Sequence, residues 1–321
     1  MAMEKNYDAI VIGAGMSGLA AAIRLSLLGK KICLLEKHSK TGGLNSYFSR
    51  GSRNLDTGLH ALTNYFKKKE NTPLRSILKQ LRIPQDSLEL YPQNKSRIVF
   101  PRQTLNFTND INDLKEEISQ KFPRQINGFN SFLKELPTYA QAGASRYFTS
   151  TKLSLKKYMD DPLLCEMLCY PVYSYGNARE DDMNYSLFSI LFRSIYLEGL
   201  ARPAGGIRPL LRILQNKLEQ AGGVLKLRTP VDKINITDNS VRGITLKSGE
   251  SLSCKSLYSS IGLPETYALA QEKSLPAGNI SFAESIFFTR EFPAEIGFSE
   301  TMIFYNDASS YRHEMPCEAI D

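Results

Sequence analysis

The sequence has 321 residues, of which 42% are hydrophobic and 23% are charged, and its formal net charge at pH 7 is +7. These proportions exclude a disordered or fibrous chain, because they are those of ordinary globular proteins, and the length is ample for two domains. The basic excess is spread along the chain except at Lys67, Lys68 and Lys69. That run is typical of a solvated face, with contact to an anionic membrane as the alternative. No finger, helix-turn-helix or aromatic-interleaved basic motif indicates nucleic acid as a partner.

The first predicted element is a short buried strand at residues 9–12, where four apolar residues stand together. It leads into a glycine-rich turn. Apolar residues at three- and four-residue steps then indicate a helix over 19–28, which Gly29 ends. A second apolar run at 32–35 predicts another buried strand, with Glu36 at its end. The order strand, glycine turn, helix, strand and acid is typical of a dinucleotide-binding unit.

The residues of this unit suit a dinucleotide for separate physical reasons. Gly13 permits the tight turn out of the strand, Gly15 lets the backbone approach a pyrophosphate, and Gly18 lets the helix pack close to the sheet. The helix N-terminus offers free N–H groups and partial positive charge to phosphates. Glu36 would accept hydrogen bonds from the ribose hydroxyls of an adenosine. We therefore predict dinucleotide binding, with a plain glycine turn before a core helix as the alternative.

A second glycine pair, Gly42 and Gly43, follows Glu36 in the spacing E-x5-G-G. With the runs D-A-I-V-I-G-A-G-M-S-G-L and E-K-H-S-K-T-G-G-L-N, the chain resembles the superfamily of FAD-dependent amine oxidases and phytoene desaturases. The resemblance implies FAD as the cofactor; for the glycine pair, an ordinary turn after the second strand is the alternative. The implied cofactor-binding residues are Gly13, Ala14, Gly15, Met16, Ser17, Gly18, Glu36, Lys37, Gly42, Gly43, Leu44, Val231 and Gly262.

The segment D-T-G-L-H at residues 56–60 looks most like the retinol-saturase and carotenoid-desaturase branch, in which an Asp-x-Gly segment passes near the flavin. His60 is a candidate catalytic proton donor or polar contact, because imidazole exchanges protons near neutral pH; a turn histidine held by the backbone is the alternative. Tyr173 and Tyr175 are the other catalytic candidates. The three histidines show no metal-ligand spacing and no G-x-S-x-G occurs, so we predict neither a metal site nor a serine hydrolase.

From about residue 65 to 196 the composition becomes helical and aromatic, and this stretch resembles the inserted substrate-binding region of the superfamily. A strand is predicted at 97–100, and amphipathic helices are predicted at 111–121 and 128–136. The apolar stretch at 183–200 is too short and too interrupted to span a bilayer. Three interpretations are open for it: a core helix, the wall of a lipophilic substrate tunnel, or a membrane-dipping surface.

The chain then returns to cofactor-domain patterns, with P-A-G-G at 203–206, an amphipathic helix over 207–220 and a strand over 224–227. By resemblance, residues 203–206 approach the flavin and the backbone of Val231 lies beside the adenine. The remaining patterns predict an antiparallel meander, a strand that returns to the main sheet, and two strands of the substrate domain. Their ranges are 234–236, 241–247 and 251–254 for the meander, 257–261 for the returning strand, and 281–289 and 302–305 for the substrate domain.

The five cysteines are odd in number and lack C-x-x-C spacing. Cys165 and Cys169 stand one helical turn apart, which indicates a buried helix face more than a redox pair. The chain starts within a few residues of its first strand without a charged-then-apolar leader, so the expected location is the reducing cytoplasm. Peripheral contact with a membrane is the second possibility for its location.

These patterns predict an α/β fold in which a Rossmann-like FAD-binding domain, of the GR2 type of flavoprotein, carries an inserted α+β substrate domain. The FAD-binding domain is expected at 1–65 and 203–265, and the substrate domain at 66–202 and 266–321. Members of the superfamily continue with more substrate domain and a glycine-rich segment that returns to the cofactor. The resemblance therefore implies a C-terminally incomplete chain: a truncated form, a gene fragment or one part of a split protein.

The implied function is that of an FAD-dependent oxidoreductase that desaturates, saturates or isomerises carbon–carbon bonds of an apolar polyene or isoprenoid, such as a carotenoid or retinoid. The expected partner is a small lipophilic substrate. A flavin amine oxidase would share the cofactor motifs, but it needs an aromatic cage, and the sequence has no tryptophan. Two further functions are compatible with the motifs: a non-catalytic FAD-binding fragment that needs a C-terminal partner, and a nicotinamide-only dehydrogenase.

Overall fold

The computed structural model describes residues 6–58, 60–65, 72–144, 147–175, 182–272, 275–276 and 284–311. The chain divides into two compact units. Unit 1 comprises Met1–Leu62, Pro73–Tyr91 and Arg202–Ile280, and unit 2 comprises Thr63–Thr72, Pro92–Ala201 and Ser281–Asp321.

The elements are numbered in chain order. The described strands are β1 Asn6–Ile12, β2 Ile32–Leu35, β3 Tyr47–Arg50, β4 Arg53–Asp56, β5 Leu90–Pro92, β6 Ser96–Phe100, β7 Gln103–Phe107, β8 Ala201–Pro203, β9 Val224–Lys226, β10 Val231–Thr237, β11 Ser240–Leu246, β12 Ser251–Ser259 and β13 Met302–Tyr305. The described helices are α1 Met16–Leu27, α2 Pro73–Gln80, α3 Ile111–Lys121, α4 Ile126–Glu135, α5 Tyr139–Ala144, α6 Thr151–Leu155, α7 Pro162–Ser174, α8 Tyr185–Phe192, α9 Ile207–Gln220 and α10 Leu263–Leu269.

A six-stranded sheet forms the centre of unit 1, in the order β10-β11-β12-β1-β2-β9. Strands β12, β1, β2 and β9 run parallel, and β10 and β11 extend the sheet in antiparallel fashion beyond β12. Every residue of β2 is buried, as expected for a parallel strand that is covered on both faces. Helix α1 packs on β1, β2 and α9 through the buried side chains of Leu19, Ala22 and Ile23. The apolar periodicity therefore places α1 where the motif predicts it.

The predicted meander is part of this main sheet. The two strands predicted at 251–254 and 257–261 are one strand, β12, which pairs antiparallel with β11 and parallel with β1, with Leu257 opposite Ile10. No glycine or proline separates the two segments, so nothing interrupts the extended backbone. The helix predicted at 207–220 is confirmed as α9. The strands predicted at 224–227, 234–236 and 241–247 are confirmed as β9, β10 and β11, with shifts at their ends.

The largest difference from the predicted domain boundaries concerns residues 73–91, which were expected in the substrate domain and belong to unit 1. Helix α2 in this stretch is tied to α1, because Arg24 donates from Nη1 to the carbonyl oxygen of Gln80 at 2.7 Å. Further along, the amide of Ala204 donates to the carbonyl of Glu89 at 2.9 Å. These bonds join residues far apart in the sequence, so local composition does not reveal them. The division of cofactor and substrate binding between the units stays a prediction.

Unit 2 combines a three-stranded sheet, in the order β13-β6-β7, with helices α3 to α8. Strands β6 and β7 form an antiparallel hairpin, and β13 pairs parallel with β6. The strands predicted at 97–100 and 302–305 are confirmed as β6 and β13, and the helices predicted at 111–121 and 128–136 as α3 and α4.

The core of unit 2 is aromatic. Phe132 of α4 packs edge-on against Phe192 of α8, with ring centroids 5.1 Å apart and planes at 89°. Phe188 and Tyr196 are also fully buried. The apolar stretch at 183–200 thus forms α8 and a following π-helical turn within the core, which supports the first of its three interpretations. Among the described residues, no helix is both long and apolar enough to cross a membrane.

The strand predicted at 281–289 is wrong for the part that the structure describes. Residues 281–283 lie outside the described residues, and residues 284–289 contain no strand. Phe287 in this stretch is instead 85% exposed. Aromatic and β-branched residues form a strand only where a neighbouring strand supplies backbone partners, and local composition does not show whether one does.

The cysteines of the described residues are free thiols in buried or half-buried positions. Burial raises the pKa of the Cys33 and Cys165 thiols from 9.0 to about 11. Burial also raises the pKa of Cys169, one helical turn further along α7. These thiols therefore stay protonated near neutral pH, which is unlike the low pKa of redox-active cysteines.

A thiol-labelling experiment tests this burial. At pH 8 we expect Cys33 and Cys165 in the native protein to react with Ellman's reagent about 100-fold more slowly than an ordinary thiol, because the thiolate is the reactive form. Labelling should accelerate as the pH rises towards 11 and become fast in guanidinium chloride. The measurement is made on the Cys317→Ser variant, because Cys317 lies outside the described residues. Rapid labelling of two or more native thiols at pH 8 would contradict the burial.

Candidate functional site

The glycine turn between β1 and α1 has a backbone that only glycine fits at two positions. Gly13 has φ +95°, in the left-handed region. At Gly18 an added Cβ would lie 1.9 Å from the carbonyl oxygen of Gly13, so α1 begins in direct contact with the turn. Ser260 fixes the turn from behind, because its Oγ donates to the carbonyl of Gly13 at 2.9 Å. A residue larger than glycine would therefore be strained or would clash at the first and third glycine positions of the motif.

The N-terminus of α1 is open beside the second glycine of the motif. Gly15 is the N-cap residue, with φ −67°, and no side chain caps the helix. The first N–H groups of a helix lack intrahelical acceptors; that of Met16 faces the carbonyl of Gly42 across a parallel bridge, while those of Ser17 and Gly18 can face an anion. An added Cβ at Gly15 would meet only the Cα of Gly43, at 3.9 Å. The space next to Gly15 can therefore hold a phosphate at the positive end of the helix dipole.

Glu36 is a buried carboxylate at the end of β2, with 6% of its surface exposed. Its Oε2 accepts from the amide of Ala14 at 2.8 Å, and its Oε1 accepts from the amide of His38 at 2.9 Å. These bonds hold the carboxylate directly beside the glycine turn. Because each carboxylate oxygen has two lone pairs, both can still accept from a ribose hydroxyl. The geometry is compatible with the predicted role of Glu36.

The second glycine pair lies in backbone contact with the first turn. The amide of Gly42 donates to the carbonyl of Ala14 at 2.8 Å, and an added Cβ at Gly43 would lie 3.2 Å from the Cα of Gly15. Both glycines of the pair have positive φ, +114° and +58°. Leu44, which follows them, is 91% exposed. Gly42 is buried, whereas Gly43 and Leu44 are exposed. The exposed part of the E-x5-G-G segment is therefore bare backbone at Gly43 followed by one apolar side chain, which suits contact with a flat aromatic group.

The D-T-G segment at 56–58 packs on the chain just after this pair. The amide of Thr57 donates to the carbonyl of Ser46 at 2.9 Å. An added Cβ at Gly58 would lie 2.4 Å from the carbonyl oxygen of Leu44, and Gly58 has φ +76°. The glycine of this segment is therefore needed for the close approach of the two loops.

The carboxylate of Asp56 joins this loop to the P-A-G-G segment at 203–206. Its Oδ2 accepts from the amide of Ile207, the first residue of α9, at 3.1 Å, and from Nη2 of Arg202 at 3.2 Å. An added Cβ at Gly206 would lie 1.9 Å from the same oxygen. Asp56 belongs to a segment that the sequence marks, but it was not predicted as a site residue. Aspartate is a common helix-capping residue, so the sequence could have suggested a capping role for Asp56. The sequence could not show that the capped helix begins at Ile207, 151 positions away.

The remaining predicted cofactor residues also belong to unit 1. Val231 begins β10, and the residue two positions before it, Thr229, donates from its amide to the carbonyl of Glu36 at 2.8 Å. This bond brings the start of β10 beside the end of β2. Gly262 has φ +103° and follows Ile261, whose side chain lies 2.7 Å from an added Cβ at Gly13. Lys37 is exposed. Contact of these residues with FAD stays a prediction.

The three predicted catalytic residues are divided between the units. His60 belongs to unit 1 and is exposed, and its carbonyl oxygen accepts from Nη1 of Arg202 at 2.9 Å. Tyr173 lies in the core of unit 2, with its ring centroid 5.0 Å from that of Tyr311, and burial raises its pKa far above the usual value. Burial raises the pKa of Tyr175 to about 12, while the adjoining residue 176 lies outside the described residues. Both phenols are thus protonated near neutral pH, and the catalytic role of all three residues stays a prediction.

The residues of unit 1 fit an FAD molecule by the chemistry of their donors and by the space that they leave. An uncapped helix N-terminus beside Gly15 suits a pyrophosphate, and the carboxylate of Glu36 suits a ribose. The bare backbone at Gly43, followed by the exposed Leu44, suits the flavin end. Among the described residues, no group of three histidine, cysteine, aspartate or glutamate side chains could hold a metal ion.

The model of the family described as flavin containing amine oxidoreductase matches residues 16–296 of this chain. The all-trans-retinol 13,14-reductase of Danio rerio is 24% identical over 288 residues, covering 77% of this chain and 46% of the reductase. The chloroplastic prolycopene isomerase of Daucus carota is 23% identical over 318 residues, covering 87% of this chain and 50% of the isomerase. A neurosporene-forming phytoene desaturase of Rhodobacter capsulatus is 25% identical over 305 residues, covering 83% and 55%. The chain thus spans about half the length of these relatives.

A solved structure with the same fold is that of an oxidoreductase from Methanosarcina mazei. It superposes with a TM-score of 0.62 at 20% sequence identity and covers 82% of this chain and 61% of its own. This likeness supports the α/β fold that the sequence predicts.

Proposed function

Because the chain belongs to the family of flavin containing amine oxidoreductases, we propose that it acts, with FAD, on carbon–carbon bonds of an apolar polyene or isoprenoid. The reaction would be a desaturation, saturation or isomerisation. The observation that carries the proposal is the meeting of two glycine segments, around Gly15 and Gly43, beside the buried carboxylate of Glu36. The choice of substrate class is supported by relatives named as a retinol reductase, a prolycopene isomerase and a phytoene desaturase.

In this proposal the residues of the chain bind and orient, while FAD would supply the hydride chemistry of its flavin ring. The N–H groups at the start of α1 bind the pyrophosphate, and Glu36 accepts from the adenosine ribose. Gly42 and Gly43 let the backbone lie flat against the cofactor, and Leu44 covers part of it with an apolar side chain. The imidazole of His60 is the proposed proton donor to a substrate carbon, because histidine is the side chain most often used for proton transfer to a reacting group.

A two-stage experiment tests the proposal. First, the purified chain is mixed with FAD, passed through a gel-filtration column, and examined for visible flavin absorption that elutes with the protein. Second, the flavin-bound protein is incubated with all-trans-retinol, phytoene or prolycopene in detergent micelles, and the products are separated by chromatography. Each polyene is tested with oxidised flavin in air, where oxygen takes up the two electrons of a desaturation, and with dithionite-reduced flavin under argon, which supplies the two electrons of a saturation. We expect retained flavin, and conversion of at least one of these polyenes.

Each contrary outcome favours a different function. Peroxide release with simple amines, and no change in any polyene, would favour an amine oxidase. Retained flavin without turnover of either substrate class would indicate a binding fragment that needs further polypeptide for catalysis. A protein that takes up no FAD but binds NAD would contradict the proposal and favour a nicotinamide-dependent dehydrogenase.

A further inference from the structure

We propose that Asp56 is the positioning residue for the flavin end of the site, and that it acts through Arg202 and the first turn of α9. The inference rests on the proposed binding of FAD. Its basis is that one buried carboxylate joins two loops, residues 56–58 and 203–206, that both carry glycines needed for close approach.

The burial and bonding of Asp56 show that its position is closely determined. Its side chain is 5% exposed, and Oδ2 accepts from both the amide of Ile207 and Nη2 of Arg202. Helix α9 has no side-chain cap of its own, because its N-cap residue is Gly206 with φ +77°. The carboxylate therefore supplies the missing cap from a distant part of the chain. The start of α9 cannot shift without breaking this bond.

Two arginines, Arg202 and Arg208, lie beside the carboxylate of Asp56, and Arg202 connects it to His60. Arg202 uses Nη2 for Asp56 and Nη1 for the carbonyl of His60 at 2.9 Å, so it holds both ends of the D-T-G-L-H segment. Nε of Arg208 lies 3.7 Å from Oδ1 of Asp56, and neither of these buried atoms has a hydrogen-bond partner in the described structure. One carboxylate thus faces two guanidinium groups and a helix N-terminus. This arrangement leaves a local excess of positive charge beside the two loops.

Helix α9, whose first turn is capped by Asp56, also contacts the E-x5-G-G loop. Nε2 of Gln215 donates to Oγ1 of Thr41 at 2.5 Å, and a Cδ atom of Leu211 lies 3.0 Å from an added Cβ at Gly42. Fixing the first turn of α9 therefore also fixes the loop that precedes Leu44. Through one side chain, three glycine segments are kept in a single relative arrangement.

The test compares Asp56→Asn with Asp86→Asn, an exposed aspartate of unit 1 whose substitution makes the same change in charge. The asparagine oxygen at position 56 can still accept from the amide of Ile207, so the helix cap remains and the melting temperature without FAD should fall by less than about 4 °C. The neutral amide no longer pairs with the arginines. We therefore expect FAD to bind at least tenfold more weakly, and the visible bands of the bound flavin to shift at saturating FAD. Asp86→Asn should change neither quantity.

A double variant tests whether Asp56 acts through Arg202. If it does, the losses of FAD affinity in Asp56→Asn and Arg202→Gln should be less than additive in the double variant, because each single change removes the same contact between Asp56 and Arg202. Fully additive losses would contradict this part of the proposal. Affinity and spectrum equal to the wild type in Asp56→Asn would overturn the proposal. A loss of affinity explained wholly by unfolding of the protein without FAD would also overturn it, since Asp56 would then serve stability alone. Failure of the wild-type chain to take up FAD would instead reject the proposed function on which the inference depends.

Discussion

Replacement of Gly15 by alanine is expected to leave the protein folded and to weaken its binding of FAD at least tenfold, which corresponds to about 1.4 kcal/mol. The backbone at this position has φ −67°, which alanine adopts readily. An added Cβ would meet only the Cα of Gly43, at 3.9 Å, in the protein without cofactor. The same methyl group would occupy the space beside the α1 N-terminus that a pyrophosphate needs. Stability without FAD should fall by less than about 1 kcal/mol, because alanine is a poorer N-cap residue than glycine.

The measurement is a titration of flavin fluorescence, paired with urea unfolding of the protein without cofactor. Gly143→Ala is the matched control, because an added Cβ there meets no atom within 4 Å and the residue lies in α5 of unit 2. This control should bind FAD like the wild type. Unchanged FAD affinity in Gly15→Ala would mean that the cofactor does not approach the backbone at the second glycine of the motif.

Replacement of Gly18 by alanine is expected to destabilise the protein by about 2–4 kcal/mol. The added Cβ would lie 1.9 Å from the carbonyl oxygen of Gly13 and 2.7 Å from Oγ of Ser260. A backbone carbonyl cannot move aside as a flexible side chain can, so α1 must shift away from β1. That shift would also move the helix N-terminus that faces the pyrophosphate. FAD binding should therefore weaken together with stability, in contrast to the selective effect at Gly15.

Gly128→Ala provides the comparison for this clash. Its Cβ would lie 1.8 Å from the carbonyl oxygen of Tyr158, a backbone clash of the same kind in unit 2. Urea unfolding should show a similar loss of stability, whereas the FAD affinity of the folded protein should remain that of the wild type. Equal stability of Gly18→Ala and the wild type would show that the turn and helix are not packed as described.

Much of the nucleotide half of the site follows from the sequence because its determinants are local. The spacing of Gly13, Gly15 and Gly18 reflects one turn and the start of one helix, and Glu36 directly follows the next strand of the same unit. Each of these positions depends on neighbours within a single βαβ unit, where the chain connectivity and the periods of helix and strand fix the geometry. The periodicity of α9 is equally local, so its range was predictable to the residue.

Sequence-based prediction was less successful for structure that depends on contacts between residues far apart in the chain. The stretch at 284–289 has the composition of a strand but forms none, and the sequence does not show that Tyr173 packs in an aromatic core. The segments at 251–254 and 257–261 were predicted as separate strands, but they form one strand, β12, which pairs with β1 from Ser253 to Ser259 and with β11 from Ser251 to Ser253. Composition alone does not distinguish these cases, since it records the tendency of a segment and not its neighbours.

The sequence by itself therefore determined the βαβ nucleotide unit, the presence of three further glycine segments and the family resemblance that implies FAD. Only the tertiary structure decided that Asp56 caps α9 across 151 positions and unites those segments with Arg202. A motif of fixed spacing is specified by local dihedral angles and side-chain periods. A contact between distant residues is specified by the packing of the whole sheet and its helices, which no local pattern contains.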